Sequence, residues 1–418
     1  MYHLEPPHVF VHKRVYRNPR ALARLERMLS ALGDPETIEV DVGDADRVLD
    51  LAGPRPETGP MSGSVRMGLD RRDEDPAFLF NTFVWDEAQR APVDVERYDY
   101  LAARRVARAL AGVGEDFAYS RREDLISGGV RHVCQGGWGI HSLFGCAHRC
   151  DYCHEGYVVN MMLDLEDFAD HVYRTVMGRP QQRLYRYDMY SDSICFEPEY
   201  GASAILSETF ARTGDKWLLF YTKSDNVEHL LDLPHKSNSI FYLTMATASV
   251  CRDIERGTPS MERRIDALRR CQQAGYPVRV GFSPIIPIRN WREEATDCLE
   301  KLFAAVRPET VRLWVLSLMT ARQAEVMFGD RLDPVIREAM HRNRDFRPEE
   351  HFNQPFSYAT RAEVYAHYLD EIRRLSPGTP VSLCSERREL WDRLADRLTM
   401  SPDDLFCCCG GMSAPPRG

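Results

Sequence analysis

Three cysteines crowd into one short stretch. Residues 145–157 read Gly-Cys-Ala-His-Arg-Cys-Asp-Tyr-Cys-His-Glu-Gly-Tyr. Cys146, Cys150 and Cys153 are spaced C-x3-C-x2-C, with Tyr152 just before the last thiol. Thiolates are soft ligands that select iron–sulfur clusters or zinc. Three of them on one loop can hold three irons of a [4Fe–4S] cluster and leave the fourth iron open. Structural zinc usually takes C-x2–4-C pairs separated by a longer gap, and His148 or His154 would then complete the set. The spacing favours the cluster.

A second group closes the chain. Cys407, Cys408 and Cys409 follow Phe406 and precede Gly410 and Gly411, and Cys384 lies upstream before Ser385 and Glu386. Neighbouring residues of a regular strand point to opposite faces, so three consecutive thiols meet at one point only in an irregular loop. Three readings follow. The tail thiols, with Cys384 or Cys195, ligate an auxiliary iron–sulfur cluster. A tail thiol donates a hydrogen atom or forms a disulfide in turnover, and Cys195 and Cys384 are further candidates for a catalytic role. Or the group binds zinc. Cys251, Cys271 and Cys298 fall on helical stretches or at a strand end, where core packing accounts for them.

The whole chain sets limits on these readings. It has 418 residues and a net charge of −9, with 44% hydrophobic and 28% charged residues. That composition suits a globular enzyme rather than a disordered chain. Duplex-DNA binding usually needs a basic face, so the acidity argues against a nucleic-acid partner. No apolar run reaches the roughly 18 residues of a membrane span. Pro, His and charges break the first residues, which predicts no signal peptide and a cytoplasmic protein. Cysteines there stay reduced, and clusters of them point to metal or redox chemistry.

The elements that must position these groups read as α/β. Residues 7–15 and 37–44 predict strands, and 21–33 and 101–114 predict helices. The Pro- and Gly-rich stretch 52–63 predicts a loop. From about residue 130, strands near 183–190, 217–222, 239–245, 278–286 and 310–318 alternate with helices at 165–177, 201–213, 260–275 and 291–306. Such alternation implies βα units and a parallel sheet. About six strands predict a partial (β/α)6 barrel, with chemistry at the C-terminal strand ends. We expect an N-terminal α/β extension over 1–128, the barrel over 129–320, and a mostly helical region with a Cys-rich tail over 321–418.

Downstream of the cysteine loop the chain resembles the spore photoproduct lyase family of radical S-adenosylmethionine (SAM) enzymes. The resemblance spans roughly residues 140–318 and, more weakly, the leader. It is carried by the segment Phe220 to Val227 with His229, by Glu255 to Ser260 with Arg264 and Ile265, by Ala274 to Val278, by Ser283 to Ile286, and by Trp291. It implies that Cys146, Cys150 and Cys153 bind the cluster and that SAM chelates the open iron. The cluster's electron then cleaves SAM to methionine and a 5′-deoxyadenosyl radical, which abstracts hydrogen from a substrate. Ser191 and Asp192 would approach the SAM amino group and ribose. Tyr152, Lys223, Thr244 and Thr247 would line the SAM pocket. Glu155 and Tyr157 follow the loop closely enough to reach SAM or substrate. An electron donor such as flavodoxin or ferredoxin is implied.

Two departures stand out. A lyase of this family carries a hydrogen-donor Cys just before its Ser-Asp segment. Here Asp188, Met189 and Tyr190 precede Ser191, and no thiol stands there. The lyase also has Tyr directly after its last cluster Cys, where this chain has His154. We therefore expect a divergent member acting on a small, nucleoside- or sugar-like molecule, with sulfur insertion or sulfur-for-oxygen replacement as its sharpest form. The alternatives are DNA photolesion repair and a zinc-binding interaction protein without catalysis.

Overall fold

The computed structural model describes residues 1–52, 74–98, 101–114, 116–120, 132–153, 155, 158–342 and 354–415. Most of the predicted loop 52–63 lies outside them, as do His154 and Tyr157.

Two sheets organise the chain. The first has the order Thr37–Val40, Val9–His12, Ala77–Asn81, Val158–Met162, Leu143–Phe144, and all but the last pair are parallel. The second runs Val381–Leu383, Val311–Val315, Val278–Ile285, Ser239–Met245, Trp217–Thr222, Leu184–Tyr187, Gly137–Ile140, Phe117–Ser120. Its strands are parallel except for Phe117–Ser120, which pairs antiparallel with Gly137–Ile140. The fold is thus mixed α/β. The large sheet is open, and its edges come from the N-terminal region and the C-terminal region.

Local sequence explains the elements. Helix Pro19–Ala31 starts where Asn18 accepts from the Arg20 and Ala21 amides with Pro at the first turn. It buries Ala21, Leu25 and Met28 along one stripe and ends before Gly33, whose φ is +81°. Strand Ser239–Met245 is buried throughout, as a parallel strand covered on both faces must be. Side chains alternate between the two faces. Phe241 and Leu243 join the main core, where burying each contributes about 1.5–3 kcal/mol. Ile240 and Tyr242 face the other way, into a small cluster with Leu184, Leu219 and the tail residue Cys408.

Among the described residues no helix is long and apolar enough to cross a membrane.

Gly281 has no room for a side chain, because a Cβ there would collide with the Tyr242 hydroxyl. Gly281→Ala is expected to cost about 1–3 kcal/mol through overpacking. A lowered denaturant midpoint checks this, and an unchanged midpoint refutes it.

Candidate functional site

The cysteine loop joins strand Leu143–Phe144 to strand Val158–Met162. Gly145 turns the chain into it with φ +88°, and a Cβ there would collide with the Val158 carbonyl. Only glycine combines that conformation with that close approach. Arg149 and Cys150 pair antiparallel with Glu255 and Arg256. The Asp151 amide donates to the Ile254 carbonyl at 2.9 Å. Its carboxylate is clamped by Arg256 and by Arg331 at 3.1 Å.

The loop is therefore held at both backbone and side-chain level. Cys146, Cys150 and Cys153 all line one cavity of about 120 Å³, together with Ser191, Asp192 and Lys223. Burial pushes the Cys150 thiol pKa up, and the nearby Glu255 carboxylate adds to this.

Behind the loop sits a buried ionic network. Glu255 binds Lys223 Nζ at 2.8 Å and Arg264 at 2.7 Å, and accepts the Tyr152 hydroxyl. Burial alone would raise its pKa, but Lys223 and Arg264 hold it down at about 2. Tyr152 and Lys223 are thereby fixed beside the cavity. Asp192 is committed in the same way. It accepts from His148 Nε2 at 2.9 Å, Thr222 Oγ1 at 2.6 Å and the Lys223 amide at 2.7 Å. Burial opposes its ionisation, yet these donors keep it below the usual carboxylate range. Its role in this arrangement is to anchor the cavity wall.

A second cavity of about 290 Å³ adjoins the first, and Tyr152, Cys153, Glu155, Tyr190 and Lys223 line both. Arg186, Arg312, Thr244, Ser317, Cys384 and Cys409 also face it. Arg312 donates to the Tyr221 hydroxyl at 2.7 Å and to Cys409 Sγ at 3.5 Å. Cys409 lies beside the Cys407 thiol and Arg312. Both hold its pKa well below the ordinary thiol value, against the effect of burial. Arg105 stacks its guanidinium on Tyr190 and pairs with Glu155, which walls one side.

Among the described residues, three buried hydroxyls here have no hydrogen-bond partner. Ser191 Oγ faces the first cavity, and Thr244 Oγ1 and Ser317 Oγ face the second. Buried polar atoms are normally satisfied, so these mark where a polar ligand can bond. The Thr247 hydroxyl is likewise unpartnered, at the start of helix Ala248–Asp253.

The predicted site residues separate into two groups. Cys146, Cys150, Cys153, Tyr152, Ser191, Asp192 and Lys223 come together around the first cavity. Cys384 and Cys409 meet at the second. The grouping of Cys408 with its two neighbours needs correction. Its thiol packs among Leu184, Leu219, Ile240 and Tyr242, and donates to the Val280 carbonyl at 3.3 Å. In this irregular stretch the middle side chain has gone into the core. Cys195 lies fully buried behind the first cavity, 3.4 Å from His148 Nε2 and apart from the tail. Cys251, Cys271 and Cys298 are buried in the core, as expected. Sequence reasoning missed Arg186, Arg312, Glu255 and Cys134. For the arginines a signal existed, since each interrupts an otherwise apolar or aromatic strand, LYRY and VRLWV.

Residues 138–328 match the family model of spore photoproduct lyase. The chain is 27% identical over 175 residues to the spore photoproduct lyase of Bacillus subtilis (strain 168), covering 40% of this chain and 51% of that protein. It is 26% identical over 164 residues to that of Clostridium acetobutylicum, covering 38% and 49%. This chain is spore photoproduct lyase-like.

The chain spans about half the length of these curated relatives. A solved spore photoproduct lyase variant with dinucleoside spore photoproduct superposes with a TM-score of 0.63 at 16% identity, covering 91% of this chain and 100% of that one. Another, with bound AdoMet and dinucleoside spore photoproduct, gives 0.61 at 15%, covering 91% and 99%. At that identity the likeness is one of fold. The lyase-like match contains the cysteine loop and the Glu255 network. It excludes Cys134, Cys384 and the tail.

Proposed function

We propose that the chain is a radical SAM enzyme acting on a small molecule held beside the cysteine loop. We read the parallel strands from Gly137–Ile140 to Val311–Val315 as the partial (β/α)6 barrel of such enzymes. One observation carries the reading: three loop thiols line a cavity with an unpartnered buried hydroxyl, and that cavity shares part of its wall with a larger one lined by arginines, thiols and two further unpartnered hydroxyls. Cys146, Cys150 and Cys153 suit a [4Fe–4S] cluster as donor set. Ser191 and Thr244 suit SAM as polar contacts. When bound, these groups supply a 5′-deoxyadenosyl radical that abstracts hydrogen from a C–H bond.

The chain's own residues do the rest. The Glu255 network keeps Lys223 and Tyr152 in place while charge changes nearby. Arg186 and Arg312 give the larger cavity a cationic wall, which selects a substrate bearing a carboxylate, phosphate or other acceptor group. Met189 and Tyr190 line the cavities where the lyases carry a donor thiol, so a later hydrogen or sulfur transfer falls to Cys384 or Cys409. Sulfur insertion is the finer reading of that step, and it needs a second metal centre.

The test is reductive SAM cleavage by anaerobically reconstituted protein, read as 5′-deoxyadenosine and methionine in equal amounts. Failure to form either from fully iron-loaded protein overturns the proposal. The match to the lyases supports a second reading, repair of a DNA photolesion. Release of thymidines from dinucleoside spore photoproduct would establish it. SAM cleavage without that release would leave the small-molecule reading.

A further inference from the structure

We propose that Cys134, Cys384, Cys407 and Cys409 form a second metal site, a four-thiolate iron–sulfur centre beside the larger cavity. The four residues come from three separate segments, and the fold brings each segment there for a visible reason. Strand His132–Val133 pairs antiparallel with Glu386–Arg387, which sets Cys134 beside the turn after Cys384. His132 Nδ1 lies 2.5 Å from the Ser385 carbonyl and secures that join. Cys384 itself follows the edge strand Val381–Leu383, and its amide donates to the Leu313 carbonyl at 2.8 Å.

The tail is docked, not loose. Gln135, next to Cys134, receives the Met412 amide at 2.9 Å and the Ser413 hydroxyl at 3.0 Å, and donates to the Leu405 carbonyl at 3.2 Å. The Arg183 and Leu184 amides both donate to the Gly411 carbonyl, at 2.8 and 2.9 Å. The Cys407 amide donates to the Ser413 hydroxyl at 3.0 Å, which closes the tail into a tight turn. Gly410 permits that turn, since a Cβ there would collide with Cys407 Sγ and Gln135 Oε1. Cys408 is anchored in the core, and its neighbours Cys407 and Cys409 lie beside each other. Cys134, Cys384 and Cys409 line one cavity, and the Cys407 thiol is close enough to Cys134 to feel its charge.

Four thiolates select zinc or an iron–sulfur centre. Among the described residues, Cys134, Cys384 and Cys409 do not close into a set with all sulfurs within 4.8 Å of one another, which leaves room for a cluster between them. Arg312 at 3.5 Å from Cys409, with Arg186 on the same cavity, supplies the positive charge that an anionic cluster needs in a buried place. All four cysteines lie outside residues 138–328, the stretch that matches the lyase family model.

This inference stands apart from the SAM-cleaving reading, and the experiment keeps the two separate. Iron, sulfide and zinc are counted in reconstituted full-length protein, with Mössbauer spectra. Wild type is expected to hold roughly eight irons, two clusters of four. A variant with Cys146, Cys150 and Cys153 all replaced by Ala is expected to keep roughly four and lose SAM cleavage. A Cys134→Ala, Cys407→Ala variant should drop to roughly four and still cleave SAM. Cys408→Ala should keep the wild-type count. Iron absent from the loop variant while wild type holds only about four overturns the proposal, whatever SAM does. Zinc in place of iron in the loop variant overturns it equally. The wild-type count and spectrum decide the matter even where a variant fails to fold.

Discussion

Cys150→Ala protein, reconstituted and reduced with SAM, forms 5′-deoxyadenosine more than about 100-fold more slowly than wild type. Loss of an outer-shell partner already costs roughly 10–100-fold in metal affinity, and a direct ligand counts for more. Cys150 is the most constrained of the three loop thiols. It is 4% exposed, sits in the strand pair with Glu255, and directly precedes Asp151 and Tyr152, both of which are clamped. No neighbouring thiol can shift to replace it without breaking that pairing. Far-ultraviolet circular dichroism should be unchanged, because Ala removes only a sulfur. Wild-type rates of 5′-deoxyadenosine formation in this variant would show that the loop is not the cluster site.

Glu255→Gln lowers folding stability by about 3–5 kcal/mol at neutral pH, the usual cost of breaking a buried ion pair from one side. Glu255 and Arg264 are fully buried, and Lys223 is largely so. The amide keeps the shape and loses the charge, so two cations remain without their shared anion. The pH dependence has a definite sign. The folded pKa of about 2 lies below the unfolded value of roughly 4.3. The ionised carboxylate therefore stabilises the fold fully above that unfolded value, and its contribution is lost as pH falls towards 2. The gap in denaturant midpoint between wild type and Glu255→Gln should narrow from pH 5 to pH 3. A constant gap would assign the loss to packing and not to charge. The same variant should also bind iron more weakly, because Tyr152 and Lys223 lose their common anchor.

Both predictions draw on residues whose legibility differed. The C-x3-C-x2-C loop could be read from sequence because all its ligands fall within eight residues, and chain connectivity alone brings them together. Helix Leu165–Met177 and strand Ser239–Met245 were also legible, since their periodicity is local. The partner of Glu255 was not. It pairs with a lysine 32 residues upstream, and only folding supplies that proximity.

By itself, then, the sequence determined the cysteine loop, the α/β alternation and the family likeness, all properties of neighbours along the chain. Tertiary structure decided what lies across it. Strand Val158–Met162 is an apolar run that reads alike for either sheet, and pairing with Ala77–Asn81 assigns it to the first. Three consecutive tail cysteines read alike, and the apolar niche around Cys408 separates it from its neighbours. Cys134 carries no motif at all, and it gains partners only because Gln135 draws the chain terminus back over 270 residues. Local pattern specifies elements because short-range sterics and periodicity act within a few residues. Sites built from distant segments depend on packing and loop closure, which no window of sequence contains.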